Sequence, residues 1–485
     1  MSKKLVIVES PAKSKTIGQY LGKDYTVMSS VGHVRDLAVV GAGGLGVDVE
    51  NNFKPTYEVL PEKKQVIHKL NQALKNAEEL YLATDPDREG EAISWHLSDT
   101  LNIKNQKVYR VIFNEITRNA IKESFEQPGE INRDLVNSQE TRRILDRIIG
   151  FKLSKLLQSK IKSKSAGRVQ SAALKLIVDK EKEIDAFNIE EYYDVFASFD
   201  DLEAKLSKIN GKDPQIHSLE VADQFVESLS NQFVVEQIEV KPYTNNPKPA
   251  FITSTLQQMA SSKFGYSPTK TMKLAQSLYE GIDIGNETVG LITYMRTDSI
   301  RLSGAFIAEA KKHIIENYGT KYYGNNRRVS NKQNVQDAHE AIRPTSISRT
   351  PKDLKPYLSA QEYKLYQLIY ARALASLMKP RKTETTALYL KNNDSTFRIA
   401  STKQLFDGYL KVYAQYDSEE QEPDNDLSKF NEGDVLTSSN IYHKQMFTTP
   451  PARYTEATLI KKMEDLGIGR PSTYASTIQT IKNRK

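Results

Sequence analysis

The residues of this chain whose types and spacing suggest chemistry fall into three groups. In GLITYMRTDSIR, Tyr294 stands two positions before Arg296, with Asp298 and Arg301 following. A phenol with a pKa of about 10 is protonated at neutral pH, so a nucleophilic tyrosine needs positive charge or a proton acceptor beside it. Arg296 supplies charge, and its guanidinium can clasp the non-bridging oxygens of a phosphate as the phosphorus becomes trigonal bipyramidal. Most of the 25 tyrosines must serve packing; these neighbours are what single out Tyr294. Downstream, QDAHEAIRPT adds His339, Glu340 and Arg343. His339 can hold a phosphate or shuttle a proton near neutrality, and it can equally be a satisfied structural histidine. HEAIR lacks the second histidine of HExxH, which removes a zinc-protease reading.

The second group is acidic. ELYLATDPDREGEA sets Asp85, Asp87 and Glu89 at alternate positions beyond an apolar run. If the backbone stays extended, alternation brings all three side chains to one face. Three carboxylates that close repel one another by several kcal/mol even at an effective dielectric of about 20, so a divalent cation or a basic partner must offset them. Oxygen-only ligands suit Mg²⁺. A bare DxDxE is more often a solvated turn, but LVIVES delivers Glu9 to the end of another apolar run, with Lys13 one turn later. In a parallel sheet both reach the same carboxyl edge as the acidic cluster.

The third group is basic. KLLQSKIKSKSAGRVQSAALK places Lys160, Lys162, Lys164 and Arg168 beside Ser165, Gly167, Gln170 and Ser171 at an expected helix start. Exposed amides, small residues and cations suit phosphate oxygens. DLGIGRPSTYAS repeats the idea with Arg470, Ser472, Thr473 and Tyr474. There an aromatic ring could stack on an unpaired base, which favours single-stranded nucleic acid over duplex.

These groups need elements to position them. Residues 1–130 alternate apolar strands (KKLVIVE, YTVMSS, ELYLAT, KVYRVIF) with amphipathic helices, which predicts an α/β domain on a mainly parallel sheet. A glycine-rich excursion is expected at about 37–60. Residues 131–190 read as helices, and 447–485 is expected to join them in one unit. Strand-like runs at YYDVFASFDD, FVVEQIEVKPY, TTALYLKN and FRIASTKQL occupy 191–253 and 380–446, on both sides of a helical segment, 254–379, that carries Tyr294. One β-rich unit is thus interrupted by a helical one, a construction that makes an arch or hinged flap. The acidic run near 417–434 reads as a solvated loop, and no internal repeat is evident.

Composition bounds the rest. The chain has 485 residues, 39% hydrophobic and 27% charged, so three or four domains are expected and no apolar run reaches the length of a membrane span. With no cysteine, thiol catalysis, disulfides and thiolate metal sites are out. The net charge of +7 is compatible with a phosphate-rich partner. No GxxxxGK[ST] motif exists: Ile17 and Leu206 stand where the glycine before each GK pair should be. ATP-driven chemistry has no support, and a phosphotyrosine ester would conserve the energy of the cut bond for resealing. A cytoplasmic location follows by default.

The motifs LVIVESPAKSKTI, SSVGHVRDL, ATDPDREGEAI, FNEIT, SAGRVQS, AFITSTLQQ, GLITYMRTDS, AHEAIRP, PPARYTEATLI and GIGRPSTYAS, in this order, resemble the bacterial topoisomerase I branch of the type IA DNA topoisomerase family. The resemblance covers essentially the whole chain. It implies a multidomain α/β protein with helical and β-rich parts: a Rossmann-like Toprim domain, and an arch around a strand-sized hole. By resemblance Tyr294 is the nucleophile, forming a 5′-phosphotyrosine and leaving a 3′-hydroxyl; Glu9 and Lys13 do general acid-base work; Arg296 clamps the phosphate; His339 assists. Asp85, Asp87 and Glu89, with Glu9, become the Mg²⁺ site. His33, Arg143, Asp146, Lys164, Arg168, Gln170, His339, Arg343, Arg470, Ser472 and Tyr474 fall where DNA is positioned.

The implied activity is ATP-independent relaxation of negatively supercoiled DNA, on a single-stranded segment, by a nucleoid-associated monomer. Because the family continues beyond the last motif, an N-terminal fragment that relaxes supercoils poorly is expected. A topoisomerase III-like decatenase, a Toprim nuclease or primase, and a non-catalytic DNA-binding module are the alternatives.

Overall fold

A computed structural model describes residues 4–162, 165–324, 339–416 and 425–484. Its first unit is a four-stranded sheet in the order Tyr25–Ser29, Lys4–Val8, Glu79–Leu82, Lys107–Arg110, every pair parallel. The apolar runs are continuous because both faces are covered. Leu5, Ile7, Leu80 and Leu82 face a core with Leu70, Leu74 and Leu97 of the helices Lys64–Leu74 and Arg88–Thr100. Val6, Val8, Tyr81 and Ala83 turn the other way, into a second core that continues through Ile116 and Val289 to Tyr279 and Tyr294. The period of two in a strand thus divides one short sequence between the sheet's own core and its junction with the tyrosine-bearing unit.

The glycine-rich excursion is two small ribbons, Arg35–Leu37 with Tyr57–Val59 and Val47–Asp48 with Lys54–Pro55. They pack on Ile144, Ile148 and Phe151 of the long helix Arg133–Ile161. That helix and Arg168–Asp185 form the expected helical pair. Ala173 of the second helix shares a core with Leu459, Ile460, Met463 and Ile478 of the last two helices, Glu456–Asp465 and Tyr474–Arg484.

The β-rich part is one seven-stranded antiparallel sheet. Its order is Val435–Thr437, Gln232–Asn245, Arg381–Asn392, Ser395–Phe406, Leu202–Ile209, Glu191–Phe199, Asn440–Phe447. Sequence reading named four of these strands and missed Leu202–Ile209, Val435–Thr437 and Asn440–Phe447, along with the helix Leu219–Ser228 that packs on the sheet. LEAKLSKI and NIYHKQMF carry many polar residues because only one face of the sheet is buried, which dilutes the apolar signal. Gln232–Asn245 and Arg381–Asn392 are neighbours, with Asn245 opposite Arg381. The helical unit between them therefore leaves and rejoins the sheet at one paired position. No helix among the described residues is long and apolar enough to cross a membrane.

Candidate active site

Three adjacent parallel strands deliver the site at their carboxyl ends. Lys4–Val8 leads to Glu9 and then to the helix Pro11–Leu21, whose Ser10 cap accepts from the Lys13 amide. Glu79–Leu82 leads to Asp85 and Asp87, and Lys107–Arg110 leads to Asn114 and Glu115. Glu9 Oε1 accepts from the Asp85 amide at 2.7 Å, and the ammonium of the fully buried Lys13 is paired with the Asp85 carboxylate. Burial, with Asp85 and Asp87 nearby, pushes the Glu9 carboxyl up to about 8 despite Lys13. For Lys13, burial favours the neutral amine, but Asp85 and Glu9 outweigh it and hold the pKa above its ordinary value.

Tyr294 lies against this edge. Its backbone N–H donates to the Asn114 carbonyl at 2.8 Å, while the Gly290 N–H donates to Ile116 at 2.9 Å. On the other side the Thr293 N–H donates to the Arg343 carbonyl at 3.0 Å. The tyrosine segment is thus laced between FNEIT and HEAIRP, which accounts physically for both motifs. The Tyr294 hydroxyl donates to Asp87 Oδ2 at 2.7 Å, and the Arg296 guanidinium lies 3.9 Å from the same oxygen. Burial, then Asp87 and Asp85, raise the Tyr294 phenol well above its ordinary value, with Arg296 opposing them. Tyr294 is thus held as a phenol with an acceptor already in place.

His339 is buried with its ring edge-on to Tyr294, at 5.9 Å between centroids. Its Nε2 is 2.6 Å from the Pro86 carbonyl, which can only accept, so Nε2 carries the proton. His339 therefore braces the Asp85–Asp87 loop.

The acidic cluster departs from expectation. Asp87 is the N-cap of the helix Arg88–Thr100, its Oδ1 accepting from the Gly90 amide at 2.9 Å. The backbone stops being extended there, so Glu89 sits in the first helical turn and does not converge with Asp85 and Asp87. Its carboxylate meets Gln139 at 3.1 Å, Arg142 at 3.4 Å and His33 at 3.7 Å. These partners overcome burial and hold Glu89 down to about 2. Among the described residues no group of three or more His, Cys, Asp and Glu side chains has the spacing of a metal site.

The expected DNA contacts divide. His33, Arg142 and Arg143 line the junction of the parallel-sheet unit and the helix Arg133–Ile161, with Arg143 paired to Asp36. Arg168, at the start of its helix, is held by Asp146 at 2.9 Å, and Gln170 is half-buried behind it. Arg470 is exposed, Ser472 is half-buried, and Arg470 lies close enough to Arg88 and Arg142 that the three form one positive cluster.

Two assignments are corrected. Tyr474 is 6% exposed and belongs to the core with Leu459, Met463 and Ile478, so its ring offers no face to a base. Its helix needs an apolar anchor at that position. Arg343 is buried, with Glu115 at 3.0 Å and Glu340 at 2.9 Å, and it clamps two units of the protein. Lys164 lies outside the described residues.

Sequence reading also missed Arg110, buried in the fourth strand. It donates to the carbonyls of Thr84 (2.9 Å) and Asp85 (2.7 Å) and pairs with Glu91 at 2.9 Å, fixing the acidic loop. A lone arginine within the apolar run KVYRVIF was the available signal.

Residues 130–485 match the family described as DNA topoisomerase, and residues 4–116 match the Toprim domain. The structure is similar to that of full-length topoisomerase I from Thermotoga maritima, with 42% identity and a TM-score of 0.87 over 99% of this chain and 78% of that one. On these matches the chain belongs to the bacterial topoisomerase I branch of the type IA DNA topoisomerases.

Proposed function

We propose that this topoisomerase relaxes negatively supercoiled DNA by cutting a single-stranded segment with Tyr294, passing a strand through the break, and resealing it without ATP. The observation that carries this reading is the hydrogen bond from the Tyr294 hydroxyl to Asp87, at the edge where Lys13 and Glu9 also meet. The phenolic oxygen attacks phosphorus and its proton passes to Asp87. The bond from phosphorus to the 3′ oxygen breaks, and Lys13 supplies the proton that makes it a hydroxyl. Arg296 binds the non-bridging oxygens, whose charge grows as the trigonal bipyramid forms. Resealing runs these steps backward: the 3′-hydroxyl attacks the phosphotyrosine, and its proton returns to Lys13.

Toprim domains are generally associated with divalent metals. Glu9, Asp85 and Asp87 supply only oxygen donors, the chemistry such an ion takes, although Lys13 pairs with the Asp85 carboxylate and the three do not stand at the spacing of a formed metal site. These three would hold Mg²⁺, with Glu89 turned toward Arg142. When bound, that ion would supply positive charge to the reacting phosphate. His33, Arg143, Asp146, Arg168, Arg470 and Ser472 would position the strand. We take the acting species to be a cytoplasmic monomer organised as 1–130, 131–190 with 447–485, 191–253 with 380–446, and 254–379.

The test is to incubate the protein with end-labelled single-stranded DNA and Mg²⁺ and run denaturing gels. A 3′-end label is expected to stay with the protein, because the 5′ phosphate at the break carries the tyrosine. A 5′-end label is expected to leave on the fragment with the free 3′-hydroxyl, and Tyr294→Phe is expected to form no adduct. An adduct that persists in that variant, or one attached through a 3′ end, overturns the reading. Comparing plasmid relaxation with decatenation then separates this function from a topoisomerase III-like one.

A further inference from the structure

Tyr279, the penultimate residue of the helix Pro268–Glu280, is a second phenol in the same pocket. It is fully buried, its ring stands edge-on to Tyr294 at 5.3 Å between centroids, and the Lys13 ammonium lies 5.4 Å from its ring centre. Its neighbours are therefore the group that attacks the phosphate and the group that protonates the leaving oxygen. Among the described residues its hydroxyl has no hydrogen-bond partner.

Other buried tyrosines of the molecule show how unusual that is. Tyr20 donates to the Thr288 carbonyl at 2.6 Å, Tyr366 to Arg349 at 2.7 Å, and Tyr370 to Ile347 at 2.8 Å. A buried hydroxyl left unpaired opposes folding, and a phenylalanine would fill the same space without that cost. The carboxylates acting on Tyr279 are Asp85, Glu9, Glu280 and Asp87, none within bonding reach of its hydroxyl, and the one cation against it, Lys13, faces the ring. The hydroxyl is consequently poised as a donor at an acid-lined edge that must receive a phosphodiester.

We propose that the Tyr279 hydroxyl donates a hydrogen bond to a non-bridging oxygen of the phosphate that Tyr294 attacks, while its ring keeps Lys13 and Tyr294 apart at their working separation. The assignment rests on the reading of Tyr294 as nucleophile. It makes Tyr279 a contact to the reacting group, and it explains why stability has been given up at this position. A donor to a phosphate whose charge grows in the transition state acts on the rate of cleavage more than on affinity.

The variant that tests this is Tyr279→Phe in the full chain, compared with wild type in three measurements: thermal melting, affinity for a single-stranded oligonucleotide, and single-turnover formation of the covalent adduct with Mg²⁺. The expected result is a melting temperature equal to or above that of wild type, affinity within about threefold, and adduct formation slowed about 10- to 100-fold. Tyr279→Leu, which also removes the ring, is expected to lose further rate. Adduct formation by Tyr279→Phe within about twofold of wild type overturns the proposal. So does a melting temperature clearly below wild type, because the hydroxyl would then have a partner in the free protein. Failure of the wild-type protein to form any adduct instead condemns the reading of Tyr294, which keeps the two failures distinct.

Discussion

At Asp87 a single carboxylate serves two partners: one oxygen caps the helix Arg88–Thr100 through the Gly90 amide, and the other accepts the Tyr294 hydroxyl. Asparagine caps a helix about as well as aspartate but cannot take a proton from a phenol. Asp87→Asn is therefore expected to melt within a few degrees of wild type while adduct formation falls by about 100-fold or more; equal losses in both measurements would deny Asp87 the proton-accepting role. A different residue sets the acid limit of the fold. His96 is 3% exposed and accepts a hydrogen bond from Arg35 through Nδ1. Burial first, then the Arg35 charge, hold its pKa down to about 3. The unfolded imidazole binds a proton near pH 6.5 and the folded one does not. Stability is thus full above that pH and is lost progressively as pH falls toward 3, by on the order of 4 kcal/mol. His96→Gln should flatten that stretch of a denaturant-measured stability profile, and an unchanged slope would show that other groups control it.

Between elements, a tight fit lies at the turn from the strand Glu79–Leu82 into the helix Arg88–Thr100. A Cβ placed on Gly90 would lie 2.3 Å from the Asp85 carbonyl oxygen and 2.8 Å from its nitrogen. Both atoms are backbone, so Gly90→Ala must move Asp85 away from Lys13 and Glu9. Adduct formation should fall at least tenfold with only modest loss of stability, a small clash in a packed site being felt as geometry; wild-type cleavage by this variant would mean the loop adjusts freely. Arg343 works at the same scale, joining Glu115 beyond the fourth parallel strand to Glu340 beside His339. Arg343→Met leaves two half-buried carboxylates without their cation and is expected to destabilise the protein by about 2–3 kcal/mol in urea titration, whereas a loss under 1 kcal/mol would show that the clamp is solvated. The position of Arg343 in HEAIRP did not reveal this, because a cation near a presumed phosphate site and a cation between two carboxylates look alike until the carboxylates are located.

Across the whole molecule, the tyrosine-bearing unit is held at one end by the strand pair at Asn245 and Arg381 and at the other by its contact with the parallel-sheet unit. That contact includes Tyr20 to Thr288, Thr16 to the Glu280 carbonyl at 3.0 Å, and the backbone bonds of Gly290 and Tyr294. Each adds about 0.5–1.5 kcal/mol net, beside the shared apolar core and the Arg343 pair with Glu115 that span the same junction. Cations reach across units as well: half-buried Arg88 and Arg142 and exposed Arg470 come from three distant stretches, and burial together with the other two lowers the Arg88 pKa. Such a cluster gains from phosphate. Arg470→Ala should weaken single-stranded DNA binding and reduce the slope of log K against log salt by about 0.7, the value for one phosphate on a single strand. A change in affinity with no change in slope would assign Arg470 a structural role.

The sequence by itself determined the parallel-sheet unit and singled out Tyr294 and the carboxyl edge proposed to work with it, because apolar periodicity and a tyrosine flanked by cations are local facts. It also showed that β-rich segments flank a helical one. Only the tertiary structure decided where Glu89 points, since whether a DxDxE run stays extended depends on Asp87 capping a helix that packs elsewhere. It alone turned Tyr474 into core and Arg343 into a clamp, and it alone put Arg110 and Tyr279 at the site. The physical reason is common to all of these: burial and charge pairing depend on which distant segment arrives at a side chain, and residue type and spacing do not encode that partner.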